Sequence, residues 1–140
     1  MNVAIVGATG YGGIQAVNLL KKNKNYKISF LGGNKTSGSK WNDNFPFIYL
    51  EDDPYIEEIS IEKISNKADI ALLCLPNGIS STLTRKLLDK GIKVIDLSAD
   101  YRYKSLDEWK KIYSKEAAIY KRNDDDLCKE AVYGLPEINK

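Results

Sequence analysis

The chain of 140 residues contains no histidine and only two cysteines, Cys74 and Cys128. The absence of histidine removes the side chain that most often serves as an acid or base near neutral pH. The two cysteines have neither the spacing of metal ligands nor that of a redox pair. Cys74 lies inside the apolar run 70–75, and we interpret it as a small buried hydrophobic residue. No metal site is predicted.

The chain also lacks a long hydrophobic segment. No apolar run approaches the roughly 20 residues that a membrane span requires. Met1 and Asn2 lead directly into a strand pattern, without a basic region and an apolar region before it, so no cleavable signal is predicted. The length and the ordinary composition are those of one domain, residues 1–140. We therefore expect a cytoplasmic protein that does not bind a membrane.

Acidic residues are absent from the first 42 positions, which carry six lysines, and the first acid is Asp43. Residues 43–140 carry 15 basic and 19 acidic side chains, so the positive charge lies in the amino-terminal part. A protein that binds nucleic acid usually has a denser basic run that includes arginine. The asymmetry therefore favours a small phosphorylated ligand over nucleic acid.

A glycine cluster follows the first apolar run, with the spacing Gly7-x-x-Gly10-x-x-Gly13, and a helical pattern begins directly after it. A turn without side chains lets the pyrophosphate of a dinucleotide approach the backbone. The helix that follows offers amide N–H groups at the positive end of its dipole. The alternative is a tight strand-to-helix turn that binds no ligand. The residues that we predict at the pyrophosphate are Gly7, Thr9, Gly10, Tyr11, Gly12 and Gly13.

The second predicted strand, residues 27–31, ends in a loop that contains no acid. Proteins that prefer NAD hold an Asp or Glu there against the ribose 2′-hydroxyl. Hydroxyl side chains, amide groups and lysines instead suit the 2′-phosphate of NADP(H), because they donate hydrogen bonds and positive charge to a dianion. A Gly/Ser surface loop of the same composition is the alternative. The residues that we predict at the 2′-phosphate are Asn34, Lys35, Thr36 and Ser37.

Strand and helix patterns alternate along the chain and predict an α/β fold with a doubly wound, mainly parallel, Rossmann-like sheet. The predicted strands lie near residues 2–6, 27–31, 69–75 and 92–96. The carboxyl ends of such strands flank the ligand crevice. We therefore expect Leu75, Pro76 and Asn77, together with Ser98, to face the nicotinamide side of the cofactor.

The charged residues of the carboxyl-terminal part have two open interpretations. Asp96, Asp100 and Arg102 either contact a ligand or form an internal ion pair that shapes their loop, and the sequence favours neither. The acidic run 124–126 is interpreted as a solvated loop or cap, because most such runs are exposed.

Four motifs occur in the same order as in one enzyme family. They are Gly7-Ala8-Thr9-Gly10-Tyr11-Gly12-Gly13, Leu75-Pro76-Asn77-Gly78, Asp96-Leu97-Ser98-Ala99-Asp100-Tyr101-Arg102 and Tyr133-Gly134-Leu135-Pro136-Glu137. By these motifs the chain resembles the amino-terminal part of the N-acetyl-gamma-glutamyl-phosphate reductases, which are NADPH-dependent oxidoreductases of arginine biosynthesis. The aspartate-semialdehyde dehydrogenases share the first motif and the chemistry, and they are the first alternative.

The resemblance implies a mechanism in which a cysteine thiolate attacks an acyl phosphate and phosphate leaves. NADPH then reduces the thioester, and a histidine acts as acid and base. The cysteine motif of the family lies shortly beyond residues 133–137, and this chain has neither that motif nor any histidine. Asn77 also stands where members of the family often carry histidine. No catalytic residue is therefore predicted in this chain.

The resemblance thus implies the NADP(H)-binding domain of a reductase without its catalytic and substrate domain. The acyl-phosphate substrate is expected to bind through that missing domain, and the full-length protein is expected to be a homo-oligomer. The chain alone is expected to be inactive. A non-enzymatic nucleotide-binding module with a Rossmann-like fold is the second alternative.

Overall fold

The computed structural model describes residues 1–134, in which four parallel strands form one sheet. The strands are β1 (Asn2–Val6), β2 (Lys27–Gly32), β3 (Ile70–Leu73) and β4 (Lys93–Asp96). Their order is β2-β1-β3-β4, so β1 lies in the centre and hydrogen-bonds to both β2 and β3. The predicted parallel α/β sheet is confirmed, and each predicted strand overlaps an observed one. Residues 135–137 of the fourth sequence motif lie outside the described residues.

Helices connect the strands and extend the domain beyond β4. Those of residues 1–134 are α1 (Tyr11–Leu20), α2 (Trp41–Asn44), α3 (Ile61–Lys67), α4 (Ser80–Asp89), α5 (Leu106–Ile112), α6 (Ser114–Ile119) and α7 (Asp125–Glu130). A 3-10 turn at Pro46–Ile48 follows α2. The side chain of Ser60 caps α3 by accepting a hydrogen bond from the amide of Lys63, at 3.4 Å.

The core has two layers because side chains of a strand alternate between the two faces of the sheet. Val3 and Ile5 lie on the face covered by α1, where they belong to the same cluster as Val17. Ala4 and Val6 lie on the opposite face, in the cluster that contains residues of α3 and α4. The central strand is therefore buried on both faces, as its continuous apolar sequence predicts.

A third cluster lies in the helices after β4 and is organised by Trp109, which is fully buried with Cys128. Arg122 and Asp124 are also buried there, and their charges pair at 3.0 Å. The interpretation of residues 124–126 as a solvated run is wrong for Asp124. Although burial opposes ionisation, hydrogen bonds from Arg122 and Tyr101 hold the pKa of this carboxyl below its ordinary value.

Gly13 is predicted to be irreplaceable in α1, whereas its neighbour Gly12 is not. A Cβ atom at Gly13 would lie 2.2 Å from the carbonyl oxygen of Gly7, a backbone contact that no side-chain movement relieves. At Gly12 the nearest atom would be Cβ of Cys74, at 3.8 Å. We expect Gly13→Ala to lower the free energy of unfolding by about 3 kcal/mol. Gly12→Ala is expected to raise it by about 0.5 to 1 kcal/mol, as alanine does inside a helix.

Urea unfolding monitored by tryptophan fluorescence measures both free energies. Equal stabilities of the Gly13→Ala and Gly12→Ala chains would contradict the close approach of Gly13 to the backbone of residue 7.

Candidate functional site

The glycine turn between β1 and α1 is fixed to the ends of both neighbouring strands. The amides of Gly7 and Ala8 both donate to the carbonyl oxygen of Gly32, at 2.9 Å, at the end of β2. Gly7 has a φ of 83°, and a Cβ atom there would lie 2.3 Å from the carbonyl oxygen of Cys74, just after β3. Only glycine satisfies both the dihedral angle and this contact.

The amino terminus of α1 opens at this turn and carries no capping side chain. Its N-cap is Gly10, and its first turn contains no acid. The first intrahelical hydrogen bond runs from the amide of Ile14 to the carbonyl of Gly10, at 2.9 Å, so the amides of Tyr11, Gly12 and Gly13 precede it. These amide groups and the helix dipole suit an anion such as a pyrophosphate. The side chain of Tyr11 is 96% exposed and leaves the turn uncovered.

The loop after β2 lies beside the glycine turn. A Cβ atom at Gly33 would lie 3.4 Å from Cγ2 of Thr9 and 3.0 Å from Oγ1 of Thr36. The hydroxyl oxygen of Thr36 is buried and has no hydrogen-bond partner among residues 1–134. Asn34, Lys35 and Ser37 are exposed on the same loop. The structure thus brings the two predicted phosphate-binding segments together, and their polar groups fit a phosphorylated dinucleotide.

A cavity of about 550 Å³ separates this loop from the segment after β3. Its lining consists of three polar residues, Asn34, Ser37 and Glu58, and five apolar residues, Ile59, Leu75, Pro76, Ile79 and Leu83. Four predicted site residues, Asn34, Ser37, Leu75 and Pro76, therefore share one cavity. Its size and its apolar wall suit an adenosine group.

Glu58 is a cavity residue that the sequence does not identify. It belongs to a segment that returns to the end of β2, where Glu57 pairs with Gly32 in an isolated bridge. The amide of Gly33 donates to the carbonyl of Glu57 at 2.9 Å, so the loop and this segment are held together. An acid thus lies beside the predicted 2′-phosphate loop, although none occurs near it in the sequence.

Ser98 and Asn77 use their polar atoms within the protein. The hydroxyl of Ser98 donates to the carboxylate of Asp96 at 2.8 Å, and Oδ1 of Asn77 accepts from the amide of Ala99 at 2.9 Å. Neither residue lines the cavity that contains Leu75 and Pro76. Their predicted contact with the nicotinamide side of a cofactor stays a prediction.

The charged residues after β4 do not form the ion pair that the sequence left open. Asp100 is fully buried and accepts hydrogen bonds from the amides of Gly78 and Ser81, at 2.6 and 2.9 Å. Arg102 is exposed and donates to the hydroxyl of Tyr113 at 3.2 Å. Burial raises the pKa of Asp96, and the charge of Asp96 contributes to the raised pKa of the Cys74 thiol. Asp100 therefore has a structural role. It stabilises the segment after β3 by accepting hydrogen bonds from backbone amides, and it does not pair with Arg102.

Comparison with known proteins gives the class of this site. The family model described as semialdehyde dehydrogenase, NAD binding domain, matches residues 2–140. The chain belongs to this family.

The most similar relatives include two curated N-acetyl-gamma-glutamyl-phosphate reductases of Prochlorococcus marinus. The protein of strain MIT 9301 is 91% identical over the whole chain, which covers 40% of that relative. The protein of strain SARG is 57% identical over 99% of the chain, which covers 39% of it. The chain thus spans about 40% of the length of these curated relatives.

Two solved structures support the fold. Aspartate semialdehyde dehydrogenase with NADP from Candida albicans has a TM-score of 0.62 and 21% identity, covering 72% of this chain and 30% of that one. Aspartate semialdehyde dehydrogenase II from Vibrio cholerae, complexed with ASA, has a TM-score of 0.56 and 24% identity, covering 73% and 29%. At these identities the likeness concerns the fold alone.

Two further findings concern residues 1–134 only. None of the helices in this range is both long enough and apolar enough to cross a membrane. Within the same range, no group of three or more Cys, Asp or Glu side chains is arranged to hold a metal ion.

Cys74 is predicted to be a poor nucleophile, although it lies beside the glycine turn and is only half-buried. Desolvation, together with the charge of Asp96, raises the pKa of its thiol from 9.0 to about 11. The thiolate, which is the reactive form, is therefore scarce at neutral pH. In a Cys128→Ser chain, we expect the iodoacetamide alkylation rate to rise about tenfold per pH unit until the pH approaches 11.

Mass spectrometry at timed intervals measures this rate, and free cysteine provides the reference. A plateau of the rate below pH 9 would contradict the shifted pKa.

Proposed function

We propose that the chain binds NADP(H) and forms the coenzyme-binding part of an N-acetyl-gamma-glutamyl-phosphate reductase. The reaction is the reduction of N-acetyl-gamma-glutamyl phosphate to N-acetylglutamate 5-semialdehyde with release of phosphate. The observation that carries the proposal is the 91% identity, over the whole chain, to a protein of that name. The family of NAD-binding domains and the open helix terminus of α1 support it.

The bound coenzyme would supply the hydride of such a reduction, and the residues of this chain would hold it. The pyrophosphate is assigned to residues 9–13, because the amides of Tyr11, Gly12 and Gly13 precede the first hydrogen bond of α1. The adenosine group is assigned to the 550 Å³ cavity, where Leu75 and Pro76 form part of the apolar wall. The segment from Leu75 to Asn77 would then run from the adenosine cavity towards the nicotinamide side, to which Asn77 and Ser98 are assigned.

The 2′-phosphate is assigned to the loop of Asn34, Lys35, Thr36 and Ser37. Asn34 and Ser37 border the adenosine cavity, and Lys35 adds an exposed positive charge. The unpartnered hydroxyl of Thr36 is one more group of this loop with hydrogen-bonding capacity. Glu58 opposes the assignment electrostatically, so the preference for NADP(H) depends on the loop donors outweighing one acid.

The chemistry itself is assigned to a second domain that this chain does not contain. The chain has no histidine, and its half-buried cysteine has a raised pKa. The acyl-phosphate substrate would bind through that second domain, and the complete reductase would be a homo-oligomer in the cytoplasm. Residues 1–140 would then act as one domain whose role is to hold the coenzyme.

Lys35 is predicted to discriminate between the two coenzymes. Replacing Lys35 with Gln removes a positive charge at the 2′-phosphate, so we expect the Kd for NADPH to rise about fivefold, or roughly 1 kcal/mol. The Kd for NADH, which lacks this phosphate, is expected to stay unchanged. Titration calorimetry with both nucleotides measures the four constants. Lys24→Gln is the matched control, because Lys24 lines a different cavity with Tyr26 and Tyr49.

Glu58→Gln tests the same loop by removing a negative charge, so the expected change in the Kd for NADPH has the opposite sign. Removing this acid from the cavity is expected to lower the Kd for NADPH about threefold and to change the Kd for NADH less. If the unmodified chain binds NADH as tightly as NADPH, the 2′-phosphate assignment is wrong.

The chain alone is predicted to have no reductase activity. Loss of a covalent nucleophile typically removes several orders of magnitude in rate. We expect no phosphate-dependent oxidation of N-acetylglutamate semialdehyde by residues 1–140, and turnover by a longer chain that contains the cysteine motif and a histidine. NADPH absorbance monitors both reactions.

The Cys74→Ser and Cys128→Ser chains serve as controls for this activity assay. Turnover by the short chain that disappears in either variant would contradict the assignment of the chemistry to a second domain. A reading frame that ends at Lys140 would instead favour a non-enzymatic nucleotide-binding module.

A further inference from the structure

Two loops that leave adjacent strands are tied together by side-chain hydrogen bonds. The carboxylate of Asp100, after β4, accepts from the amide of Gly78 through Oδ1 and from the amide of Ser81 through Oδ2. Asn77, after β3, accepts in return from the amide of Ala99. Three bonds between 2.6 and 2.9 Å thus join the segment 77–81 to the segment 99–100.

Asp100 also caps the amino terminus of α4, because the sequence of α4 provides no capping side chain of its own. The N-cap residue of α4 is Ile79, which has no side-chain acceptor, and the first turn of α4 contains no acid. The buried carboxylate of Asp100 supplies both the acceptors and the negative charge that a helix amino terminus favours. The direction of α4 is therefore fixed by a residue from a different loop.

Arg122 hydrogen-bonds to the main chain of Asp100. Its Nη1 donates to the main-chain carbonyl of Asp100 at 2.7 Å, while Nε and Nη2 each donate to the carboxylate of Asp124 at 3.0 Å. The guanidinium lies 4.4 Å from the ring centroid of Trp109, in the third core cluster. Arg122 thus connects the segment that contains Asp100 to the third core cluster.

The residues that Asp100 holds are neighbours of cavity residues. Pro76, Ile79 and Leu83 line one side of the 550 Å³ cavity. The amides that Asp100 binds belong to residues 78 and 81, which flank Ile79 in the chain. The Asp100 side chain does not line this cavity, so it affects a bound ligand only by setting the positions of the residues that do.

We propose that Asp100, supported by Arg122, is a positioning residue that sets the apolar wall of the adenosine cavity. This inference rests on the proposed function, because it takes that cavity as the adenosine site. It assigns to the helices after β4 a part in coenzyme affinity, although Arg122 and Trp109 do not line the cavity.

Asp100→Asn tests the proposal. The carboxamide keeps the size of the side chain, but its NH2 group takes the place of one of the two oxygens that accept hydrogen bonds. We expect the Kd for NADPH and the Kd for 2′,5′-ADP, which contains only the adenosine end, to rise by the same factor of about ten. Titration calorimetry on the 140-residue chain measures both. Amide hydrogen exchange at Gly78 and Ser81 is expected to accelerate.

Asp69→Asn is the matched control. Asp69 also accepts a hydrogen bond from a backbone amide, that of Asn2 at 2.7 Å, but it lies at the amino-terminal end of the sheet. Both Kd values are expected to be unchanged in this variant, whatever stability it loses in urea. A purely structural role of Asp100 would leave the Kd values of the folded chain unchanged as well, and that result would overturn the proposal.

Ser81→Pro is a second variant, used if Asp100→Asn does not fold. Proline is tolerated in the first turn of a helix, and here it removes the amide that binds Oδ2 of Asp100 together with the hydroxyl that donates to the carbonyl of Gly78 at 3.0 Å. Ser81→Ala, which removes the hydroxyl alone, is therefore measured beside it. A rise of about threefold in both Kd values is expected for Ser81→Pro. Weaker NADPH binding with an unchanged Kd for 2′,5′-ADP would overturn the proposal, since the tie would then act on the nicotinamide end. Failure of the unmodified chain to bind either ligand would instead overturn the proposed function.

Discussion

The glycine turn packs so closely against the surrounding backbone that no side chain fits at Gly7 or Gly13. Gly7 contacts the carbonyl after β3, and Gly13 contacts the carbonyl of Gly7, so α1 starts directly on the central strand. Any side chain at these two positions would separate α1, β1 and β3. The same closeness directs the first amides of α1 towards the carboxyl ends of the strands, where the loop after β2 and the cavity also lie.

The helices α1 and α4 both begin at this edge of the sheet, and their amino termini differ in charge. The terminus of α4 is satisfied by the carboxylate of Asp100, whereas α1 has no acid in its first turn. An anion is therefore attracted to α1 and repelled from α4. In the proposed complex, this difference would orient a dinucleotide with its pyrophosphate on α1 and its base against the apolar residues near α4.

The sequence predicted the features that depend on local pattern. The strands were found because a buried parallel strand is continuously apolar, and Gly7 and Gly13 because their spacing joins a strand to a helix. Glu58 was not predicted, since it reaches the loop after β2 only through long-range pairing. Asp124 was misinterpreted because Tyr101, 23 positions earlier in the chain, and the cluster around Trp109 that buries the pair of Asp124 and Arg122 come together only in the fold. The contacts of Lys35 and Ser98 with the coenzyme stay predictions.

The central position of β1 has a consequence for synthesis on the ribosome. β1 precedes β3 in the chain, and Val3 pairs with Ile70 of β3, so one edge of the buried strand β1 stays unpaired until β3 has left the exit tunnel. Pairings so distant in sequence form slowly because a long loop must close first. The nascent chain therefore exposes the apolar segment 3–6 early, and this segment is a natural site for chaperone contact during translation.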